Sequence, residues 1–125
     1  MIVVDTTVWI DFLEARDTVF DRRLTELIGH DISLALTDLI YCEVLQGIRE
    51  DDAYQRTREL LLAYPILRLR GLETFERAAN LYRSARRRGL TIRKTADCLI
   101  AATCLDADVE LYHSDQVAPL RVYRS

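Results

Sequence analysis

Met1-Ile2-Val3-Val4-Asp5-Thr6-Thr7-Val8-Trp9 opens the chain. Its first four residues are apolar, two of the three after Met are valine, and no polar residue alternates with them. That predicts a short strand buried on both faces rather than one face of a helix. Asp5 follows at once, and Thr6-Thr7 begin a helical pattern carried by Trp9, Phe12 and Leu13. Asp5 therefore stands at a strand-to-helix junction. In an open α/β sheet ligands bind outside the carboxyl ends of the strands, but Asp is also a common helix cap. On this stretch alone both roles are open.

The same grammar repeats outward. A helix is expected from Thr18 to Ile28, closed by Gly29, then a strand at Ile32 to Leu36. Thr37-Asp38 start a third helix that reaches Gln46, with Gly47 as its stop, and Asp51-Asp52 open a fourth that carries Leu60-Leu61-Leu62. Pro65 breaks the pattern, and Ile66 to Leu69 reads as a strand. A long helix from Leu72 to Arg88 ends at Gly89, and another starts near Thr95. Strands at Leu111 to His113 and Arg121 to Tyr123 complete the pattern. Strands alternating with helices predict a three-layer α/β domain around a parallel sheet of four to five strands. Residues 1–125 read as one domain, with no internal repeat, low-complexity segment or linker.

Four acids occupy matching places. Asp5 follows the first strand, and Asp115 follows the strand ending at His113 in the same relation. Glu43 lies in the third helix, and Asp97 near the start of the helix whose body is Cys98-Leu99-Ile100-Ala101-Ala102. Taken singly, Glu43 reads equally as a solvated glutamate, and Asp97 as an acid favoured at any helix N-terminus. Taken together they suggest one divalent-metal site. Mg²⁺ and Mn²⁺ are hard ions that prefer oxygen ligands, and crowded carboxylates repel one another until a cation neutralises them.

Composition narrows the options. Half of the 125 residues are hydrophobic, enough for a real core, and no apolar run approaches the length of a membrane span. No leader pattern is visible, so the expected location is the cytoplasm. Cys42, Cys98 and Cys104 are odd in number and fall within helical apolar patterns, so they read as small buried hydrophobes, not as disulfides or a zinc site. Val8, Trp9 and Phe12 form an apolar face that is read as core. The formal net charge of −3 argues against a general nucleic-acid coat protein. Yet Arg77 to Lys94 contains no acid, and Arg86, Arg87, Arg88, Arg93 and Lys94 lead directly into the helix bearing Asp97. Those five are candidates for holding a nucleic-acid backbone, while Arg77 and Arg83 read as solvated surface.

Asp5-Thr6-Thr7-Val8-Trp9-Ile10-Asp11, then Glu43, then Asp97-Cys98-Leu99-Ile100-Ala101-Ala102, then His113-Ser114-Asp115 resembles the PIN domain. The length resembles the VapC toxins of bacterial toxin–antitoxin pairs. The resemblance implies a Mg²⁺- or Mn²⁺-dependent endoribonuclease acting on tRNA or other structured RNA. It implies Asp5, Asp97 and Glu43 as metal ligands, Asp115 as a ligand through water, and Thr7 as an orienting hydrogen-bond group. It also implies a VapB-like antitoxin as partner, with a homodimer or a toxin–antitoxin hetero-oligomer as the assembly. The pattern departs in one place. Asp115 is followed by Gln116-Val117-Ala118-Pro119, where many members carry a second Asp and a Phe.

Two other classes compete. A haloacid-dehalogenase-like phosphatase needs a second Asp two residues after the first, where this chain has Thr7. A receiver domain wants an acid after the third strand, and Leu67-Arg68-Leu69-Arg70-Gly71 offers none. A catalytically silent module that keeps the fold and binds a protein partner is a third reading, which retention of all four acids disfavours.

Overall fold

Val3 and Val4 are both wholly buried, and because neighbouring residues on a strand face opposite ways, their strand is covered on both sides. That strand is β1 (Ile2–Val4), in a computed structural model that describes residues 1–14, 19–30, 32–89 and 94–112. After it come α1 (Thr6–Leu13), α2 (Val19–Gly29), β2 (Leu34–Thr37), α3 (Asp38–Gln46) and α4 (Asp51–Leu62). The chain continues through β3 (Ile66–Leu67), α5 (Leu72–Arg87), α6 (Thr95–Asp106) and β4 (Glu110–Tyr112).

The strands form one sheet in the order β3-β2-β1-β4, with every pairing parallel. Ile2 is in register with Leu34 on one side and Glu110 on the other, and Val4 with Tyr112. The chain steps from β1 to β2 to β3 in one direction and then crosses back over to β4. Right-handed crossovers that step in opposite directions lay their helices on opposite faces, which yields the expected three layers. All four residues of β2 are buried, as a doubly covered strand requires.

Packing explains the helix patterns. Val8 and Trp9 are fully buried, and the Trp9 ring meets Tyr64 and Phe12 edge-on, with centroids 5.2 and 6.4 Å away. This face of α1 is core. Every residue of α6 from Cys98 to Cys104 is buried, so this helix has no amphipathic stripe. Ile100 and Cys104 join the core around β1 and β2, while Cys98, Leu99, Ala101 and Ala102 pack with Ala78 and Leu81 of α5. The α5–α6 pair is tied by polar contacts too. Buried Thr74 accepts a hydrogen bond from Arg70 N (3.1 Å) and donates one to Asp106 Oδ2 (2.9 Å), and Arg77 Nε sits 2.7 Å from Asp106 Oδ1.

Several boundaries differ from the sequence reading for identifiable reasons. β2 begins at Leu34 and runs to Thr37, whose hydroxyl at the same time caps α3 by accepting from Ile40 N (3.1 Å). β3 stops at Leu67, short of the expected Leu69, because Leu69 N donates to Asp38 Oδ2 (3.2 Å). Asp38 Oδ1 accepts from Leu39 N (2.9 Å), so one side chain both starts α3 and ends β3. Gly71 precedes α5 with φ 110°, a conformation that side-chain-bearing residues rarely adopt. Cys42 is exposed, not buried: it lies two residues from both Ile40 and Val44, on the opposite side of α3 from that buried pair. The strand expected at Arg121 to Tyr123, together with Thr18 and His113, lies outside the described residues.

Candidate functional site

Asp5 occupies the N-cap position of α1, yet its side chain makes no capping hydrogen bond. Its backbone does the local work: Asp5 O accepts from Trp9 N (3.1 Å), and Asp5 N donates to Tyr112 O (2.9 Å) on β4. The capping role therefore falls away. The half-buried residue stands at the carboxyl end of β1, between β2 and β4, where the strand order reverses. That is the switch point at which open α/β sheets bind ligands.

The next residue reaches a second acid. Thr6 Oγ1 donates to Glu43 Oε1 at 2.8 Å, which joins the first turn of α1 to the middle of α3. Thr6 is half-buried, whereas Thr7, the residue expected to take the orienting role, is exposed. The hydroxyl that the structure shows bonded to one of the candidate acids is thus that of Thr6. Sequence order alone favours neither threonine. Which one meets α3 depends on the rotation of α1 against it.

Asp97 lies in the first turn of α6, seven residues before Cys104. Those two turns put Cys104 on the same face of the helix, about 10 Å along the axis. Burial pushes the Cys104 thiol up to about 12, and the negative charge of Asp5 pushes in the same direction. Asp97 itself is exposed, so what the structure places within the field of Asp5 is the Cys104 end of α6. Burial also raises Cys98, with the neighbouring Asp97 charge adding to it. Asp115 lies outside the described residues.

Among the described residues no three of His, Cys, Asp and Glu come together in a ready metal cage. Asp5 and Glu43 still fit one kind of ion. Mg²⁺ keeps several waters and is usually held by one or two carboxylates plus substrate phosphate, not by an all-protein cage. Burial disfavours the thiolate form of Cys98 and Cys104, while the carboxylates offer the hard oxygen donors that such an ion prefers.

The family model of the PIN domain matches residues 2–121. The chain belongs to the PIN domain family. Among PIN relatives, the ribonuclease VapC11 of Mycobacterium tuberculosis is 30% identical over 116 residues, covering 92% of this chain and 87% of its own. The fold is shared with a toxin–antitoxin complex from Klebsiella pneumoniae, at a TM-score of 0.73 and 22% identity over 92% of this chain and 87% of that one. It is shared as well with VapBC2 from Rickettsia felis bound to a promoter DNA fragment, at a TM-score of 0.72 and 18% identity over 92% and 88% of the two chains.

In this PIN chain the basic residues gather where α5 ends. Arg86 and Arg87 are exposed in its last turn, Arg88 is its C-cap, and Lys94 is the exposed N-cap of α6. Arg93 lies outside the described residues. Cations in a last helical turn complement the helix dipole in any protein. Beyond that, Arg83, Arg86 and Arg87 line an open cleft of about 300 Å³. Arg83 thus joins the basic group, while Arg77 is engaged with Asp106. Among the described residues no helix is long and apolar enough to cross a membrane.

Proposed function

We propose that this chain is a Mg²⁺- or Mn²⁺-dependent endoribonuclease, the toxin of a toxin–antitoxin pair, cutting structured RNA such as tRNA to arrest translation. The observation that carries the reading is the junction after β1, where Asp5 leaves helix capping to its backbone and Thr6 holds Glu43 beside it. A relative named as a ribonuclease and fold neighbours that are toxin–antitoxin complexes support it.

In this reading Asp5, Glu43 and Asp97 hold the ion, and Asp115 contacts it through water. When bound, the ion would supply charge stabilisation for the phosphodiester as it is attacked. The chain's own residues do the positioning. Thr6 holds one oxygen of Glu43, so the carboxylate keeps a fixed direction. Arg86, Arg87, Arg88, Arg93 and Lys94 bring the RNA backbone to the acidic edge, setting positive charge beside a negative pocket. The partner is a small antitoxin that covers the acidic edge.

The test is cleavage of an RNA substrate by purified Asp5→Asn and Asp97→Asn. Each removes a charge at little steric cost, and each is expected to abolish metal-dependent cleavage while leaving the fold intact. Cleavage at the wild-type rate by either variant would reject the assignment. In parallel, millimolar Mg²⁺ should raise the Tm of the wild type, because a ligand bound only by the folded state stabilises it. Asp5→Asn should blunt that rise.

A further inference from the structure

Leu67-Arg68-Leu69-Arg70-Gly71 brings no acid to the end of β3, but it brings two arginines. All strand pairings are parallel, so β3 ends at the same carboxyl edge as β1. The registers of Val3 with Ala35 and of Thr37 with Leu67 set Asp5, Thr37 and Leu67 in one row across the sheet. Neighbouring strands lie about 4.8 Å apart, so Arg68, the next residue after that row, comes about 10 Å from Asp5 along the edge.

The backbone that carries the two arginines is clamped. Leu69 N donates to Asp38 Oδ2 (3.2 Å), and Arg70 N donates to Thr74 Oγ1 (3.1 Å). Leu69 packs against the core between α5 and α6, while Arg68 and Arg70 on either side of it are exposed. Among the described residues neither guanidinium has a hydrogen bond or an ion pair, whereas Arg77 pairs with Asp106 and Arg83 donates to Asn80. Asp38, the acid beside them, uses its two oxygens for Leu39 N and Leu69 N. Solvation alone accounts for an exposed arginine, but not for two on a backbone fixed at successive N–H groups beside a ligand-binding edge.

We propose that Arg68 and Arg70 grip phosphates of the RNA strand on the β3 side of the acidic edge, a second positioning group apart from the basic residues where α5 ends. This rests on the ribonuclease reading above. A guanidinium fork meets two phosphate oxygens at once, and a backbone already fixed loses less freedom when the ligand arrives. Two cations there also offset the repulsion that Asp5 and Glu43 exert on a polyanion. The RNA strand then lies across the strand ends, from β3 past β2 to β1, which sets its path over the site.

The experiment measures, by fluorescence anisotropy over a range of salt, the affinity of the full chain for a short fluorescein-labelled single-stranded RNA of mixed sequence. Every variant carries Asp5→Asn, so that the RNA stays whole. Arg68→Ala with Arg70→Ala should weaken binding severalfold at low salt and flatten the slope of log affinity against log salt by about 0.7 for each phosphate released. Arg68→Lys with Arg70→Lys keeps both charges and should keep the slope, which a loss of fold would not. Arg58→Ala, at an exposed arginine near the end of α4, should leave the slope unchanged. A chain that binds the RNA with the same slope in the double alanine variant would overturn this proposal and leave the ribonuclease reading standing. So would an equal loss in Arg58→Ala, which would assign the effect to net charge. A chain that binds the RNA at no salt concentration would overturn both.

Discussion

Thr6→Val is the most discriminating single change at the acidic edge, because valine keeps the shape of threonine and removes only the donor. The bond it deletes is a 2.8 Å hydrogen bond from Thr6 Oγ1 to a carboxylate oxygen of Glu43. Hydrogen bonds to charged groups contribute about 1.5–3 kcal/mol when fully desolvated. This bond is only partly buried, so water partly replaces the lost donor and the expected cost to stability is about 1 kcal/mol. If the proposed function holds, the cost to activity should be larger in effect, since Glu43 would be free to leave the direction in which it would face a bound ion. A loss of about 1.4 kcal/mol in transition-state stabilisation is a tenfold fall in kcat/KM. The assay compares cleavage of one RNA substrate by the wild type, Thr6→Val, Thr6→Ser and Thr7→Val, with the Mg²⁺ concentration at half-maximal Tm rise as a readout independent of cleavage. Thr6→Val should lose about tenfold in kcat/KM and need more Mg²⁺, Thr6→Ser should stay near the wild type, and Thr7→Val should be neutral. Full activity in Thr6→Val, or damage confined to Thr7→Val, would refute the role given to Thr6.

Thr74→Val strips Arg70 N and Asp106 Oδ2 of a fully buried partner, so it should cost roughly 2–3 kcal/mol in urea unfolding and Thr74→Ser should cost little. An unchanged midpoint would show that the α5–α6 contact does not depend on this network. Cys104 keeps its proton up to about pH 12 when folded, against an ordinary value of 9.0 when unfolded. Its effect is absent below pH 9, and stability falls as pH rises from 9 toward 12, by up to about 1.4 kcal/mol per pH unit. Thermal melts should show Cys104→Ala losing less between those limits than the wild type. At neutral pH a thiol-alkylating reagent should label exposed Cys42 and spare Cys98 and Cys104, as read by peptide mass spectrometry. Changing Arg88 and Lys94 together to Ala, on an Asp5→Asn background, should weaken RNA binding across sequences. The slope of log affinity against log salt should flatten by about 0.7 for each single-strand phosphate that is no longer neutralised. Identical slopes would assign the backbone grip to other residues.

How much of the fold and the site is legible in the sequence depends on the range of the interaction that decides each feature. β1 can be read because four adjacent apolar residues carry the whole signal, and Asp5 can be placed because it follows them directly. The limits of β2 and β3 cannot, since they are set by the hydroxyl of Thr37 and by the carboxylate of Asp38 reaching Leu69 from another element. Thr6 and Thr7 are hard to tell apart because one residue on a helix is a rotation of about 100°. Only the packing of α1 on α3 selects between them. Cys42 shares an apolar neighbourhood in sequence with Ile40 and Val44 but not a helix face. The acids at the carboxyl edge are visible as residue types at strand and helix ends. The tie from Thr6 to Glu43 depends on a contact between distant segments.

The parallel pairing of β1 with β4 bears on when the protein becomes active during its synthesis. Residues 2–4 hydrogen-bond alongside residues 110–112, and Asp5 N is held by Tyr112 O. The ribosome makes β1 long before β4, and at a translation rate of about 5–20 residues per second the earlier strand waits several seconds for this neighbour. During that interval α1 cannot be anchored at its start, and Asp5 lacks the backbone contact that fixes it at the switch point. A chain built this way completes the backbone contact that holds Asp5 at the carboxyl edge only once Tyr112 has been made and can pair with β1.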